Sequence, residues 1–189
     1  MKTKLLLLVI IPFILGINLA KGQGFTAPAP GKAVVYFVRV SSIGFAVSFE
    51  FFHQDKYIGI FKGKNYMRYE CDPGKNLFWA SSENKEFVTA DLQEGGTYII
   101  IVDIEMGVMK ARVGLNPITV QNNELFNRAK ELVQTEPPVI TPEEKIQNMN
   151  VKLAKFIKEK LDLYETEWKS TKNFGHISAD MAIPVESLK

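Results

Sequence analysis

The sequence predicts a mainly β protein, a seven- to eight-stranded antiparallel β-sandwich followed by a C-terminal α-helical extension. Three observations carry this expectation. Between Lys32 and Thr119, apolar and polar residues alternate with a period of two, in short runs separated by turn residues roughly every 8–12 positions. After Pro117 the apolar period lengthens to three or four, the spacing of amphipathic helices. Hydrophobic residues make up 46% of the 189, which excludes disorder for most of the chain and allows a core without disulfides or metal.

The chain opens on a segment of different character. Lys2 and Lys4 precede an apolar run, Leu5–Ile17, and Ala20-Lys21-Gly22 puts small residues where a signal peptidase cuts, before Gln23. Residues 1–22 are expected to be a secretory signal peptide cleaved between Gly22 and Gln23. The run is short for a membrane span, which needs about 20 apolar residues. No cysteine stands at the cut, so no lipid anchor is expected, and no transmembrane span is expected after signal removal. The mature protein is expected to be exported, in the periplasm or outside the cell, soluble or peripheral. Lys2, Lys4 and Lys21 would leave with the signal, turning 23 basic residues into 20 against 21 acidic. A near-neutral chain lacks the basic stripe that nucleic acid requires.

Residues 23–31 read as a Pro-rich leader, and residues 32–119 as the sandwich. Val34, Tyr36, Val38 and Val40 share one strand face, and Val35, Phe37 and Arg39 the other. Phe45 to Phe51 alternates likewise. Tyr57 to Phe61 follows the polar turn His53-Gln54-Asp55-Lys56. Met67, Tyr69 and Cys71 share a face, so the lone cysteine is expected to be buried. Asp72-Pro73-Gly74 has the chemistry of a tight turn. Leu77 and Trp79, then Val88, Ala90 and Leu92, then Tyr98 to Ile104, mark three more strands. A turn at Met106-Gly107 and a last strand from Met109 to Leu115 complete the set. Clean alternation implies one buried and one wet face per sheet.

Residues 120–169 read as a helical extension: a short helix over 123–134, a linker over 135–140 carrying Pro137-Pro138, and a long helix over 141–169. Thr141 is placed to cap it, with Pro142 at the first turn and Glu144 completing a capping box. Its stripe of Ile146, Met149, Leu153, Phe156, Ile157, Leu161, Tyr164 and Trp168 repeats at about 3.7 residues, an ordinary helix rather than a left-handed coiled coil. The stripe has two open uses. It packs on the outer face of the sandwich, or it engages a partner through Leu153, Phe156, Leu161, Tyr164 and Trp168 in the manner of a helix laid in a groove. Residues 170–189 show no sustained period and read as an irregular tail, still carrying apolar Ile177, Ile183 and Leu188.

The stretch Pro30–Ile118 resembles a bacterial domain family of unknown function, numbered 2846. The resemblance is carried by Gly31-Lys32-Ala33-Val34-Val35-Tyr36-Phe37-Val38-Arg39, Tyr57-Ile58-Gly59 before Lys62-Gly63, Asp72-Pro73-Gly74-Lys75, and Leu92-Gln93-Glu94-Gly95-Gly96-Thr97-Tyr98. Asn76 stands where a histidine is frequent in the family. The resemblance implies an envelope β-sandwich and no particular activity.

No catalytic, cofactor or metal site is predicted. His53 and His176 are the only imidazoles, one in a polar turn and one in the tail, and a Cys71–His53 dyad is a nucleophile–base pair that the fold could bring together in space. Asp55, Asp72 and Asp91 are isolated, and no zinc ligand set has usable spacing. Glu50, Glu70 and Glu86 are the carboxylates that a sandwich brings together if the protein is a hydrolase. The favoured expectation is a non-enzymatic envelope module making contact with another envelope protein through the helix or a sandwich face. The alternative is a sandwich that binds a small apolar ligand or a glycan on an aromatic face.

Overall fold

The computed structural model describes residues 24–106 and 111–189. The expected signal peptide, its cut between Gly22 and Gln23, and the Gly107 turn with Met109 lie outside these residues. Eight strands come first: β1 (Ala33–Arg39), β2 (Ser48–His53), β3 (Lys56–Lys62), β4 (Asn65–Cys71), β5 (Gly74–Ser81), β6 (Lys85–Leu92), β7 (Thr97–Met106) and β8 (Ala111–Ile118). Helices α1 (Asn123–Thr135) and α2 (Glu143–Leu163) follow, then a short strand β9 (Gly175–Ile177).

The strands form two facing sheets, in the orders β4-β1-β7-β8 and β3-β2-β5-β6-β9. The fold is thus mainly β and sandwich-like, with nine strands among the described residues rather than seven or eight. The sheets are also mixed, not wholly antiparallel. β1 lies parallel to β7, because the chain spends β2 to β6 largely in the other sheet before it returns beside β1. β9 lies parallel to β6, pairing Val88 with Gly175 and Ala90 with Ile177. The tail is therefore not irregular throughout. Its Ile177 is buried, and such a three-residue strand is too short to leave a periodic signal.

Both outer faces of the sandwich are covered, which corrects the expectation of one wet face per sheet. Every residue of β1 is buried, since Val34, Tyr36 and Val38 are as apolar as Ala33, Val35 and Phe37 on the opposite face. The inner faces share one core around Phe37, Phe51, Phe78, Ile100 and Val113. The outer face of the first sheet packs Tyr36, Tyr66, Ile99 and Ile101 against Phe126, Ala129, Leu132 and Val133 of α1, with Ile183 of the tail. The outer face of the second sheet packs Phe52, Tyr57, Trp79 and Phe87 against Ile157 and Tyr164. The order of layers is helix, sheet, sheet, helix. The leader is laid on the first sheet as well: Phe25 meets the Tyr36 ring edge-on at 4.8 Å and Thr26 N–H donates to the Tyr36 hydroxyl at 2.9 Å.

Helix α2 starts two residues later than predicted, at Glu143, with Pro142 in the capping position and no side-chain cap. The Thr141 hydroxyl is engaged elsewhere, accepting the Ile60 N–H at 3.2 Å. At its C-terminal end the helix passes into a π turn over Tyr164–Trp168, where Lys169 N–H bonds to Tyr164 C=O. The wider turn keeps Tyr164 and Trp168 on the sheet side, with ring centres 4.5 and 6.0 Å from Phe87.

Candidate functional site

A sandwich has two open sides, where the edge strands of its sheets run past each other without pairing. On one side β8 is tied to the opposite sheet by Asn84, whose amide bonds both Val113 N–H and Val113 C=O at 2.8 Å. Ser82 adds a hydroxyl bond to Ala111 C=O. On the other side β3 and β4 are the two edges, and the linker before α2 crosses from one to the other. Val139 N–H donates to Tyr66 C=O at 2.8 Å, and Thr141 meets Ile60. Asn150 of α2 then repeats the Asn84 device. It accepts from Tyr57 N–H at 2.8 Å and donates to Tyr57 C=O at 3.1 Å, standing in for a missing strand. Gly59 makes this crossing possible. A Cβ there would lie 2.7 Å from Met67 Sδ and 2.9 Å from the Thr141 hydroxyl.

Below the crossing the two edges part, and a cleft of about 780 Å³ opens between β3, β4, the linker and the first turns of α2. That volume lies within the range of ligand sites, about 300–1,000 Å³. Ile58, Met67, Tyr69, Val139, Ile140 and Ile146 supply an apolar lining, with Lys56, Glu143 and Gln147 also contributing. Ile140 is largely exposed at this position.

One wall of the cleft is an unpaired strand edge. Val34 N–H bonds to Gly96 C=O, so Val34, Tyr36 and Val38 direct their backbone groups to β7. Their partners on β4, Glu70, Arg68 and Tyr66, therefore direct theirs away from β1. Tyr66 C=O is met by Val139. Arg68, two residues on and part of the cleft wall, turns its N–H and C=O the same way with no backbone partner among the described residues. The Arg68 side chain holds Glu70 at 2.6 Å and Ala27 C=O at 3.1 Å, leaving a buried Nε–H without a partner.

Behind the cleft Tyr69 is fixed by a buried network. Asn76 Nδ2 donates to Asp72 C=O and Gly74 C=O, at 3.1 and 2.8 Å, which leaves its Oδ1 to accept from His53 Nε2–H at 2.7 Å. His53 Nδ1 then accepts from the Tyr69 hydroxyl at 3.0 Å. Both imidazole nitrogens are engaged in a neutral ring, consistent with burial lowering the His53 pKa. Burial pushes the Tyr69 hydroxyl up to about 12. Cys71 is buried and its thiol is pushed up to about 11 by the same cause, so it is no ready nucleophile.

The other predicted residues are dispersed. Glu50 lies on the outer face of the second sheet, opposite Ile60. Glu70 lies on the outer face of the first. Glu86 alternates with outward-facing Phe87 and so points between the sheets, where burial and the charges of Glu105 and Arg112 act on its carboxyl. No two of these carboxylates share a face. His176 meets the Thr89 hydroxyl at 2.8 Å, far along the chain from His53. No group of three or more histidine, cysteine or carboxylate residues is arranged to hold a metal among the described residues. No described helix is long and apolar enough to cross a membrane.

The candidate anchors on α2 turn to the chain's own second sheet. Leu153, Phe156, Leu161 and Trp168 are half-buried or near it against the cluster that contains Tyr164, and Tyr164 itself is buried. Asn84, Asn150 and the linker were not distinguishable in the sequence as parts of a site, because single asparagines and a Pro-rich connection carry no spacing signal. No protein-family model matches this chain, and no curated protein matches it either.

Proposed function

We propose that this protein is a non-enzymatic contact module of the bacterial envelope, and that it takes an extended segment of a partner protein in the cleft between β3 and β4. The carrying observation is the free backbone edge of Arg68 beside an apolar hollow. Strand addition needs these two parts: main-chain groups for affinity and a pocket for alternate side chains. The linker already uses the edge in this way at Tyr66. The resemblance to the unassigned envelope family and the expected signal peptide support the location. The inward-turned stripe of α2 favours the sandwich side over the helix as the contact surface.

The test is selection of a random peptide library on residues 24–189. A selected peptide is expected to shift the amide resonances of Arg68 and Val139 and to lose affinity when Ile140, an exposed lining residue, is changed to Lys. The apolar, concave lining favours a second reading, a compact apolar ligand. Binding of an apolar dye that Gln147→Trp abolishes, with no peptide selected, would move the assignment to that reading. Neither peptide nor dye in the cleft would refute both.

A further inference from the structure

The loop joining β1 to β2 is held from inside and apolar outside. Arg39, the last residue of β1, is fully buried, and its guanidinium donates from Nη2 to Ile43 C=O at 2.7 Å and Gly44 C=O at 2.8 Å, and from Nη1 to Val47 C=O at 2.8 Å. Its carbon Cζ stands 5.4 Å from the centre of the Phe49 ring. Val47 N–H closes the loop on Gly44 C=O at 2.8 Å. Gly44 has φ of 63° and lies so close to Ile104 that a Cβ would be 2.6 Å from its Cδ1. A buried cation with three carbonyl partners fixes one loop conformation. Yet that conformation leaves Ile43 75% and Phe45 74% exposed.

The cations around this tip match a particular surface. The β3–β4 turn, Lys62-Gly63-Lys64, abuts the loop, since a Cβ on Gly63 would lie 3.3 Å from Phe45 C=O. Lys62 and Lys64 are both exposed and form no ion pair among the described residues. Two exposed apolar side chains on one loop offer little of the roughly 1,000 Å² or more of matched surface that a stable protein contact needs. A fluid bilayer needs no such matching: it closes around an inserted side chain, and anionic headgroups attract the adjacent lysines.

We propose that residues 41–47, with Lys62 and Lys64, form a peripheral docking site for an anionic lipid bilayer. Ile43 and Phe45 enter below the headgroups, the two lysines meet lipid phosphates, and Arg39 holds the tip ready. This site is separate from the cleft and does not depend on it. The experiment is co-sedimentation of residues 24–189, which carry every described element and lack the apolar Leu5–Ile17 run, with vesicles of mixed phosphatidylglycerol and phosphatidylcholine, beside vesicles of phosphatidylcholine alone. Binding is expected on the anionic vesicles. It should fall about tenfold or more in Ile43→Ser/Phe45→Ser and weaken in Lys62→Glu/Lys64→Glu, with thermal unfolding unchanged because all four side chains are exposed. A Phe45→Trp probe should shift its emission to the blue on adding anionic vesicles and be quenched by brominated lipid. Equal binding by the apolar double variant, no binding to either vesicle, or an unmoved probe emission would each overturn the proposal.

Discussion

Replacing Asn150 with alanine should unfold the protein at markedly lower denaturant, because one side chain completes the edge of β3. Asn150 makes two bonds across the helix–sheet interface, to Tyr57 N–H and Tyr57 C=O, and a third to Ile146 C=O in its own helix. Tyr57 is fully buried beneath α2. Two interfacial bonds are worth about 1 kcal/mol each, and leaving a buried amide unpaired adds about 1–3 kcal/mol. Some of that is recovered if water reaches the edge through the neighbouring cleft, so the net loss should be about 2–4 kcal/mol. With a urea slope of about 2 kcal/mol/M, the midpoint should fall by about 1–2 M at unchanged slope. Asn150→Asp restores only the acceptor and places a carboxylate against the Tyr57 carbonyl, so it should remain destabilised. Gln147→Ala, one turn earlier and exposed, should stay within about 0.5 kcal/mol of the parent. An Asn150→Ala midpoint equal to that of Gln147→Ala would refute the reasoning, since α2 would then contribute no edge to β3.

The remaining predictions concern buried charge and the thiol. Glu86 has its carboxyl pKa raised to about 7, by burial first and by Glu105 second. The folded state therefore binds this proton more tightly than the unfolded chain does, so stability should rise as pH falls from 8 towards 5, by about 1–2 kcal/mol once solvent screening of a half-buried carboxyl is allowed for. Glu86→Gln should flatten that rise in urea titrations at a series of pH values; an unchanged pH profile would contradict it. Arg39→Lys keeps the charge but not the fork that holds three carbonyls, and should cost about 2–3 kcal/mol by chemical denaturation; a loss below about 0.5 kcal/mol would contradict the loop account. Cys71, buried with its thiol pushed up to about 11, should react with a disulfide reagent at pH 8 only as fast as the protein opens. Fast labelling of the folded protein would place it elsewhere.

The sandwich was legible because its strands alternate and its turns carry Gly, Pro and Asp in expected places. What covers the sandwich was harder to read. The two-faced apolarity of Ala33–Val38 is visible in the sequence: a period of two alone implies one wet face, but a strand apolar on both faces requires cover on both. The stripe was legible to the residue, yet whether Phe156 and Trp168 meet a partner or the chain's own Trp79 and Phe87 depends on tertiary placement. The tail strand was illegible for a plain reason: Gly175-His176-Ile177 is stabilised by the edge of β6, not by its own propensity. Thr141 shows the same override, its capping signal being real and its hydroxyl taken by Ile60. The cleft is made of segments that lie far apart in the chain, from Tyr57 to Asn150, and only the crossing of the linker joins them.

The most direct measurement is an amide resonance map of residues 24–189 titrated with a selected peptide. The account predicts changes confined to the cleft, at Arg68, Tyr69, Val139 and Gln147, with the outward face of α2 at Val151, Lys155 and Lys158 silent. Changes on that outward face with a silent cleft would contradict it, and would return the contact surface to the helix.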